Sequence, residues 1–570
     1  MKYSSKKKLL MLFLLIAVLI MGIGYASINP ITGEINGTAI ANVQNGVFIT
    51  DVEYVSDIEA NLSNSRIDNF LGTMLKSTVE LSNTNPSSEI KYKVTVHNNS
   101  TETMLFVGVV YDEDFYDNVE ITFEINEGFD VGETIEQGET KEIYITYKYK
   151  ETSTVTENNV LKSYLNFKIS KPNRMITAEN VGETELYLTS SVVKNKIESI
   201  KFEKGTELTD STKIIARFDA SEKQDESIIG YYTDIDNNGL YELTFLSEEN
   251  IYANQNAQYL FQSLTKLKDI QFENFSTFGV KRMENLFNNC SSLQQLDLSN
   301  FDTSQVTNMK YMFFGCIGLT DLNVSKLDTK QVTDMSYMFQ NCSNITNLNV
   351  SGFDTSNTTN MAGMFMGCSS VESLDLKGFD TGKVNNMLSM FQNCTNLANL
   401  DVSKFNTKKV TNIAGMFRSC SSLEKLDVKG FDTSQVERME SMFEYCTGLI
   451  DLDVSGFDTS KVINTNGMFR NCKSLTTLNL KGFNTSKVED MLAMFYMCNE
   501  LTTIYVNEYN SITDKGWTTS TVTNSSSMFG NCLKLVGGNG TKYNGRYIDA
   551  SYARIDKKDK PGYFTEMIEE

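Results

Sequence analysis

The apolar positions of the C-terminal half recur with a period of 26 residues. The pattern is marked by Cys290, Cys316, Cys342, Cys368, Cys394, Cys420, Cys446, Cys472 and Cys498, with Cys532 following at a longer interval. Within one unit, Leu293, Leu296 and Leu298 give the spacing L-x-x-L-x-L, whose last two leucines share one face of a short strand. Phe301 and Val306 fill a turn. Met309, Met312, Phe313 and Cys316 then follow i, i+3, i+4, i+7, the spacing of one helical face, with Thr307 or Asn308 placed to cap it. Each coil is therefore expected to be strand, turn and short helix: an α/β leucine-rich-repeat solenoid. One coil cannot bury such a face alone, so neighbours stack and the apolar side chains form continuous ladders, which accounts for the strict period.

A diverged coil precedes Cys290, with Leu267, Ile270, Phe272, Phe275, Val280, Met283, Leu286 and Phe287 in register and Leu264 in the cysteine slot. After Cys498, eight extra residues including Trp517 intervene before Met528, Phe529 and Cys532. Further upstream the period is two. Tyr92, Val94 and Val96 alternate with polar residues, as do Ile121, Phe123 and Ile125, then Ile143, Ile145 and Tyr147, then Leu165, Phe167 and Ile169, which predicts an all-β sandwich. Between the two regions, the stretch from Ile229 to Phe245 reads as two strands around Asp234-Ile-Asp236-Asn-Asn238-Gly239. Counted as an EF-hand loop from Asp234, position 12 falls on Phe245, where a bidentate Glu is required, so a hairpin is the better account.

At the start of the chain Lys6, Lys7 and Lys8 precede an apolar run from Leu9 to Ile23, then Gly24 and Ala26, the pattern of an export signal cut between Ala26 and Ser27. An uncleaved segment with one end in the membrane is the alternative. The expected organisation is a signal peptide over 1–26, a β-sandwich over 27–172, a solenoid cap over 173–256, repeats over 257–532 and a closing cap over 533–570. A formal net charge of −21 argues against nucleic acid, whose binding rests on clustered Lys and Arg.

The units Leu-Asp-Leu-Ser-Asn-Phe-Asp-Thr-Ser-Gln-Val-Thr-Asn-Met and Met-Phe-x-x-Cys, with Tyr552-Ala-Arg-Ile-Asp and Pro561-Gly-Tyr-Phe at the end, resemble the BspA-type leucine-rich-repeat surface proteins of bacteria over roughly residues 190–570. That resemblance implies adhesion to host matrix, glycan or other cells. The signal followed by an all-β domain is also similar to the exported TasA and camelysin-like proteins of Gram-positive bacteria, which leaves a structural surface or biofilm-matrix role as the alternative.

In an exported chain ten cysteines invite disulfides. Stacked equivalents point the same way, however, and Leu264 shows that the slot takes a medium apolar group, so buried free thiols are expected. A first polar ladder, Asp297, Asn323, Asn349, Asp375, Asp401, Asp427, Asp453 and Asn479, stands between the strand leucines and is the candidate ligand face, with a merely solvated face as its rival. A second, Asp302, Asp328, Asp354, Asp380, Asn406, Asp432, Asp458 and Asn484, is assigned to turn hydrogen bonds. A single histidine, His97, and the lack of any phosphate-cradling or metal motif argue against an enzyme and against a cofactor. The expected partner is an extracellular protein or glycan, with the membrane touched only through an uncleaved N-terminal segment.

Overall fold

The computed structural model describes residues 47–58, 66–71, 74–81, 87–100, 104–111, 121–126, 134–135, 137–149, 159–170, 173–175, 194–208, 213–223 and 225–567. The apolar run and the Ala26–Ser27 junction lie outside them. The chain divides into two compact units, Met1–Pro172 and Asn173–Glu570, each described by itself.

The first unit is built from β1 (Val47–Ile58), β2 (Arg66–Leu71), β3 (Met74–Leu81), β4 (Glu89–Asn98), β5 (Met104–Tyr111), β6 (Ile121–Asn126), β7 (Thr134–Ile135), β8 (Thr140–Tyr149) and β9 (Asn159–Ser170). One sheet has the order β1-β4-β8-β6 and the other β2-β3-β9-β5-β7, with all described pairings antiparallel. The alternation in β4 has a direct physical reading: Ile90, Tyr92, Val94 and Val96 are buried while the residues between them are half-exposed. On the wetter face Lys93 lies between Glu53 and Glu142, at 2.7 and 3.1 Å. The Tyr149 hydroxyl in one sheet donates to the Leu81 carbonyl in the other at 3.1 Å.

In the second unit, β10 (Ile197–Lys204), β11 (Ile214–Asp219), β12 (Ile229–Thr233), β13 (Tyr241–Ser247) and, after the short β14 (Ile251–Tyr252), β15 (Asp269–Gln271) form a sheet of order β11-β12-β13-β10-β15. β12 and β13 are antiparallel around the Asp234–Gly239 loop, and Phe245 is buried in β13. β10 pairs parallel with both β13 and β15, so the sheet passes directly into the first coil at Ile270.

The helix expected over 309–316 does not form. Among the described residues there is no α-helix, and the α/β assignment is corrected to coils of short strands, bridges and turns. The cause is a left-handed residue at every fourth position of this segment. Tyr311 has φ 57° and Gly315 69°, Tyr337 and Asn341 have 59° and 60°, and Gly363 and Gly367 have 58° and 76°. A right-handed helix cannot run through them. The main chain instead alternates its partners: Met312 and Cys316 donate three residues back, to Met309 and Phe313, each at 3.2 Å, while Tyr311 and Phe313 donate to Ser336 and Met338 of the next coil at 3.1 and 2.9 Å. Two consecutive turns send the same four side chains inward as a helical face would, so Met309, Met312, Phe313 and Cys316 are all fully buried. Thr307 and Asn308 cap no helix. Thr307 Oγ1 donates to the Lys281 carbonyl of the previous coil, and Asn308 Oδ1 accepts the N–H of Lys310.

The coils bond at every step on this turn side, where the phenylalanines stack in a column from Phe287 to Phe529 with neighbouring centroids 5.5–5.8 Å apart. The strand side behaves differently. After β16 (Phe275–Ser276), β17 (Asp321–Asn323) pairs with β18 (Asn347–Asn349), Ser373 bridges Asn399, Lys425 bridges Asp451, and β19 (Thr477–Asn479) pairs with β20 (Thr503–Val506). No such bridge joins the coil of Asn349 to that of Ser373, Asn399 to Lys425, or Asp451 to Thr477 among the described residues. The strand side is thus assembled from coils taken two at a time. β21 (Phe564–Glu566) adds parallel to β20 and ends the stack.

Candidate functional site

The first polar ladder lies on the strand side with its residues exposed or half-buried. Each also turns its own backbone. The Oδ1 atom accepts the N–H two residues on, from Ser299 to Asp297 at 2.9 Å, Ser325 to Asn323 at 3.1 Å, Ser351 to Asn349 at 3.2 Å and Lys377 to Asp375 at 3.3 Å. The pattern continues through Ser403 to Asp401, Lys429 to Asp427, Ser455 to Asp453 and Lys481 to Asn479. The main-chain N–H and then the hydroxyl of Ser299 hold the Asp297 carboxyl below its ordinary range, and at Asp401 and Asp453 the Ser403 and Ser455 hydroxyls lead the same effect. The Oδ1 of each residue is thus committed to the fold, which leaves the second carboxylate oxygen of the aspartates and the amide nitrogen of the asparagines outside this bond.

The second ladder makes the same bond, as in Ser304 to Asp302 at 2.9 Å and Ser356 to Asp354 at 3.0 Å. A third ladder, unread in the sequence as such, does so at the entry to the turn side, through Asn308, Asp334, Asn360, Asn386, Asn412, Asn464 and Asp490. Asx turns therefore recur at three places in most coils.

Around Asp427, Asp453 and Asn479 the strand side forms an open groove of about 500 Å³, rimmed by Lys425, Lys429 and Asp451. Lys429 Nζ lies 3.6 Å from Asp453 Oδ2, so cation and carboxylate alternate along its wall. The groove crosses the unbridged joint between Asp451 and Thr477.

The ten cysteines are all buried and unpaired with one another. Each thiol donates to a phenylalanine carbonyl of the coil before: Cys290 to Phe261 at 3.0 Å, Cys316 to Phe287 at 3.1 Å, Cys394 to Phe365 at 3.1 Å and Cys532 to Phe495 at 3.0 Å, with the others alike. Burial pushes the Cys290, Cys342, Cys394 and Cys446 thiols up to about 12. They are protonated donors and poor nucleophiles. A complementary ladder of buried threonines runs the other way, with Thr303 Oγ1 donating to Asp328 O, Thr329 to Asp354 O and Thr355 to Asp380 O of the next coil, each at 2.9 Å. Spacing alone assigns turn hydrogen bonds to the Asp or Asn at the preceding position and gives these threonines no role beyond the turn. Thr recurs at this position in every unit from Thr303 to Thr485, two residues after a buried Phe or Leu, and that recurrence is the signal that marks them.

In the Asp234 loop, Asp236 meets Glu198 and Glu242 with ligand atoms within 4.8 Å of one another. Lys268 Nζ is 2.7 Å from Glu198 Oε2, so this acidic group already has its cation.

Fold and site together define a capped stack of near-identical coils that displays polar side chains at fixed intervals. Residues 255–373, 319–429, 359–451 and 419–537 each match the DUF285 family, described as a Mycoplasma protein of unknown function, so the coil array is similar to that family along nearly its whole length. No curated protein matches the chain.

Proposed function

We propose that the protein is exported and acts at the cell surface as a non-catalytic binding scaffold, with the coil array as a leucine-rich-repeat-type solenoid that adheres to an extracellular protein or glycan. The observation that carries this reading is the strand side, where outward oxygens and amides recur coil after coil and the Lys425–Asn479 groove gives them a concave setting. Extended repeated surfaces of this kind suit large ligands that engage several coils at once. The DUF285 match and the resemblance to BspA-type surface proteins support the same reading.

The test has two arms. Fractionation of the producing cells with sequencing of the mature N-terminus is expected to find the chain outside the cytoplasm; a wholly cytoplasmic protein would sink the proposal. Binding of the purified full chain to matrix proteins and neighbouring cells is expected to weaken when Asp427, Asp453 and Asn479 are changed together to alanine. Unchanged binding would remove the groove from the interface.

A further inference from the structure

The coil period is broken once, between Cys498 and Cys532, and in a repeat array an insertion is where a binding face is most often elaborated. The added residues form a finger with a fixed shape. Asn510 N–H donates to Lys515 O at 2.7 Å, Asn510 Oδ1 accepts the N–H of Ile512 at 2.9 Å, and the Tyr509 hydroxyl donates to Asp514 Oδ1 at 2.8 Å. At the base, Trp517 Nε1 donates to Ala553 O at 3.0 Å and the indole packs edge-on to Phe564, 4.8 Å between centroids.

Between this finger and the turn carrying Arg554, Lys557 and Lys560 lies a cleft of about 300 Å³, which Glu508, Tyr509 and Trp517 also line. Lys557 and Lys560 come from one tight turn, closed by mutual main-chain hydrogen bonds of 3.1 and 3.0 Å. Glu508 Oε1 lies 2.7 Å from Lys557 Nζ, and Asp559 and Glu566 also act on Lys557, while Arg554 Nε donates to Pro561 O; among the side chains that line the cleft, cations still outnumber carboxylates. In a chain of net charge −21 a lining in which cations outnumber carboxylates favours an anion.

We propose that this cleft is a second binding site, distinct from the strand-side groove, that takes a carboxylate-bearing sugar residue. The cations would hold the carboxylate, and the half-exposed ring of Tyr509 offers the apolar surface against which a sugar packs, while the buried Trp517 fixes the floor. The volume suits one or two sugar rings. The inference rests on the reading of the chain as a binding protein.

The experiment titrates the full chain with galacturonic acid, N-acetylneuraminic acid and, as the neutral control, galactose, by calorimetry and ligand-observed NMR. At least one acid is expected to bind, galactose is not, and added salt should weaken the complex. Lys560→Glu, at an exposed side chain, should lower affinity about tenfold or more, as removal and reversal of a contacting charge does. Thr519→Trp, which fills the cleft, should abolish binding with the melting temperature unchanged. Failure of both acids to bind the folded chain, or binding indifferent to both substitutions, overturns the proposal. A chain that binds an acid in the cleft but adheres to nothing upholds the cleft and removes the adhesion reading, whereas one that adheres yet ignores both acids does the reverse.

Discussion

The two long sides of the coil array carry the same period and are held in different ways. On the turn side every coil bonds to the next through its main chain, and a continuous phenylalanine column backs those bonds. On the strand side the main chain joins coils only in pairs, and side chains cross the remaining joints. A strict sequence period therefore does not imply a uniform interface. The turn side sets the stacking, and the strand side can present open backbone and grooves because the stack does not depend on it.

This comparison is most exposed to changes in the phenylalanine column. Phe391→Ala removes a fully buried ring stacked on both neighbours and is expected to cost about 3–5 kcal/mol, whereas Leu374→Ala on the strand side, already 8% exposed, should fall toward the lower end of about 2–5 kcal/mol. Chemical denaturation of both variants checks the order, and equal losses would end the distinction.

Backbone conformation comes next. Gly367 has φ 76°, and a Cβ there would lie 2.5 Å from Asn341 Oδ1, so Gly367→Ala should destabilise by about 1–2 kcal/mol or more. Met497 occupies the same slot with φ 64°, and Met497→Gly is expected to offset this trend by relieving strain, raising the melting temperature or leaving it level. A clear loss of stability in Met497→Gly would show that its side chain, and not the turn, governs the slot.

The thiols give a pH-dependent test. Burial raises their folded values, to about 12 at Cys290 and Cys394 and well above the ordinary thiol value at Cys316, so the folded state holds protons that the unfolded chain releases above about 8.5. Stability from this source is complete below that pH and declines as pH rises toward the folded value. Melting curves between pH 7 and 10.5 should show a progressive fall, and a thiol reagent at pH 8 should label the native chain slowly and all ten cysteines after unfolding. Fast labelling of native protein would contradict the buried ladder.

The smallest effect is local. Ala398 and Ile450 N–H groups donate across bridged joints to Glu372 and Glu424, at 3.1 and 3.0 Å, while Glu372, Glu424 and Thr476 have no such bond across the unbridged ones. Amide exchange at the latter three should be faster by about tenfold or more. Uniform rates along the strand side would mean that the pairing of coils does not persist in solution.

Much of this was legible in the residues. The period, the inward face of each coil and the diverged coil at Leu264 follow from apolar spacing alone. The backbone of the turn side was not, because Met309, Met312, Phe313 and Cys316 satisfy two successive turns as well as a helical face. The discriminating residues were the polar and small ones between them, Asn341, Gly363, Gly367, Asn393 and Asn471, which tolerate left-handed geometry and recur immediately before the cysteine or four residues earlier. The polar ladders were read by position but not by partner. An Asp between two strand leucines looks outward in sequence, and only the loop geometry shows that its Oδ1 is shared with its own backbone. The cleft beside Trp517 joins residues some 40 positions apart and leaves no local trace beyond the break in period.

The opposed hydrogen bonds of cysteine and threonine make every coil both a donor to its predecessor and a donor to its successor. Any interior coil can therefore be copied or lost whole without leaving an unmatched thiol or threonine hydroxyl at the seam, although the strand-side pairing would shift by one coil. Each such event would change the reach of the array by about 5 Å, the spacing of neighbouring strands. Length becomes a heritable variable separable from chemistry, adjustable by recombination between near-identical units while the two ends stay as they are.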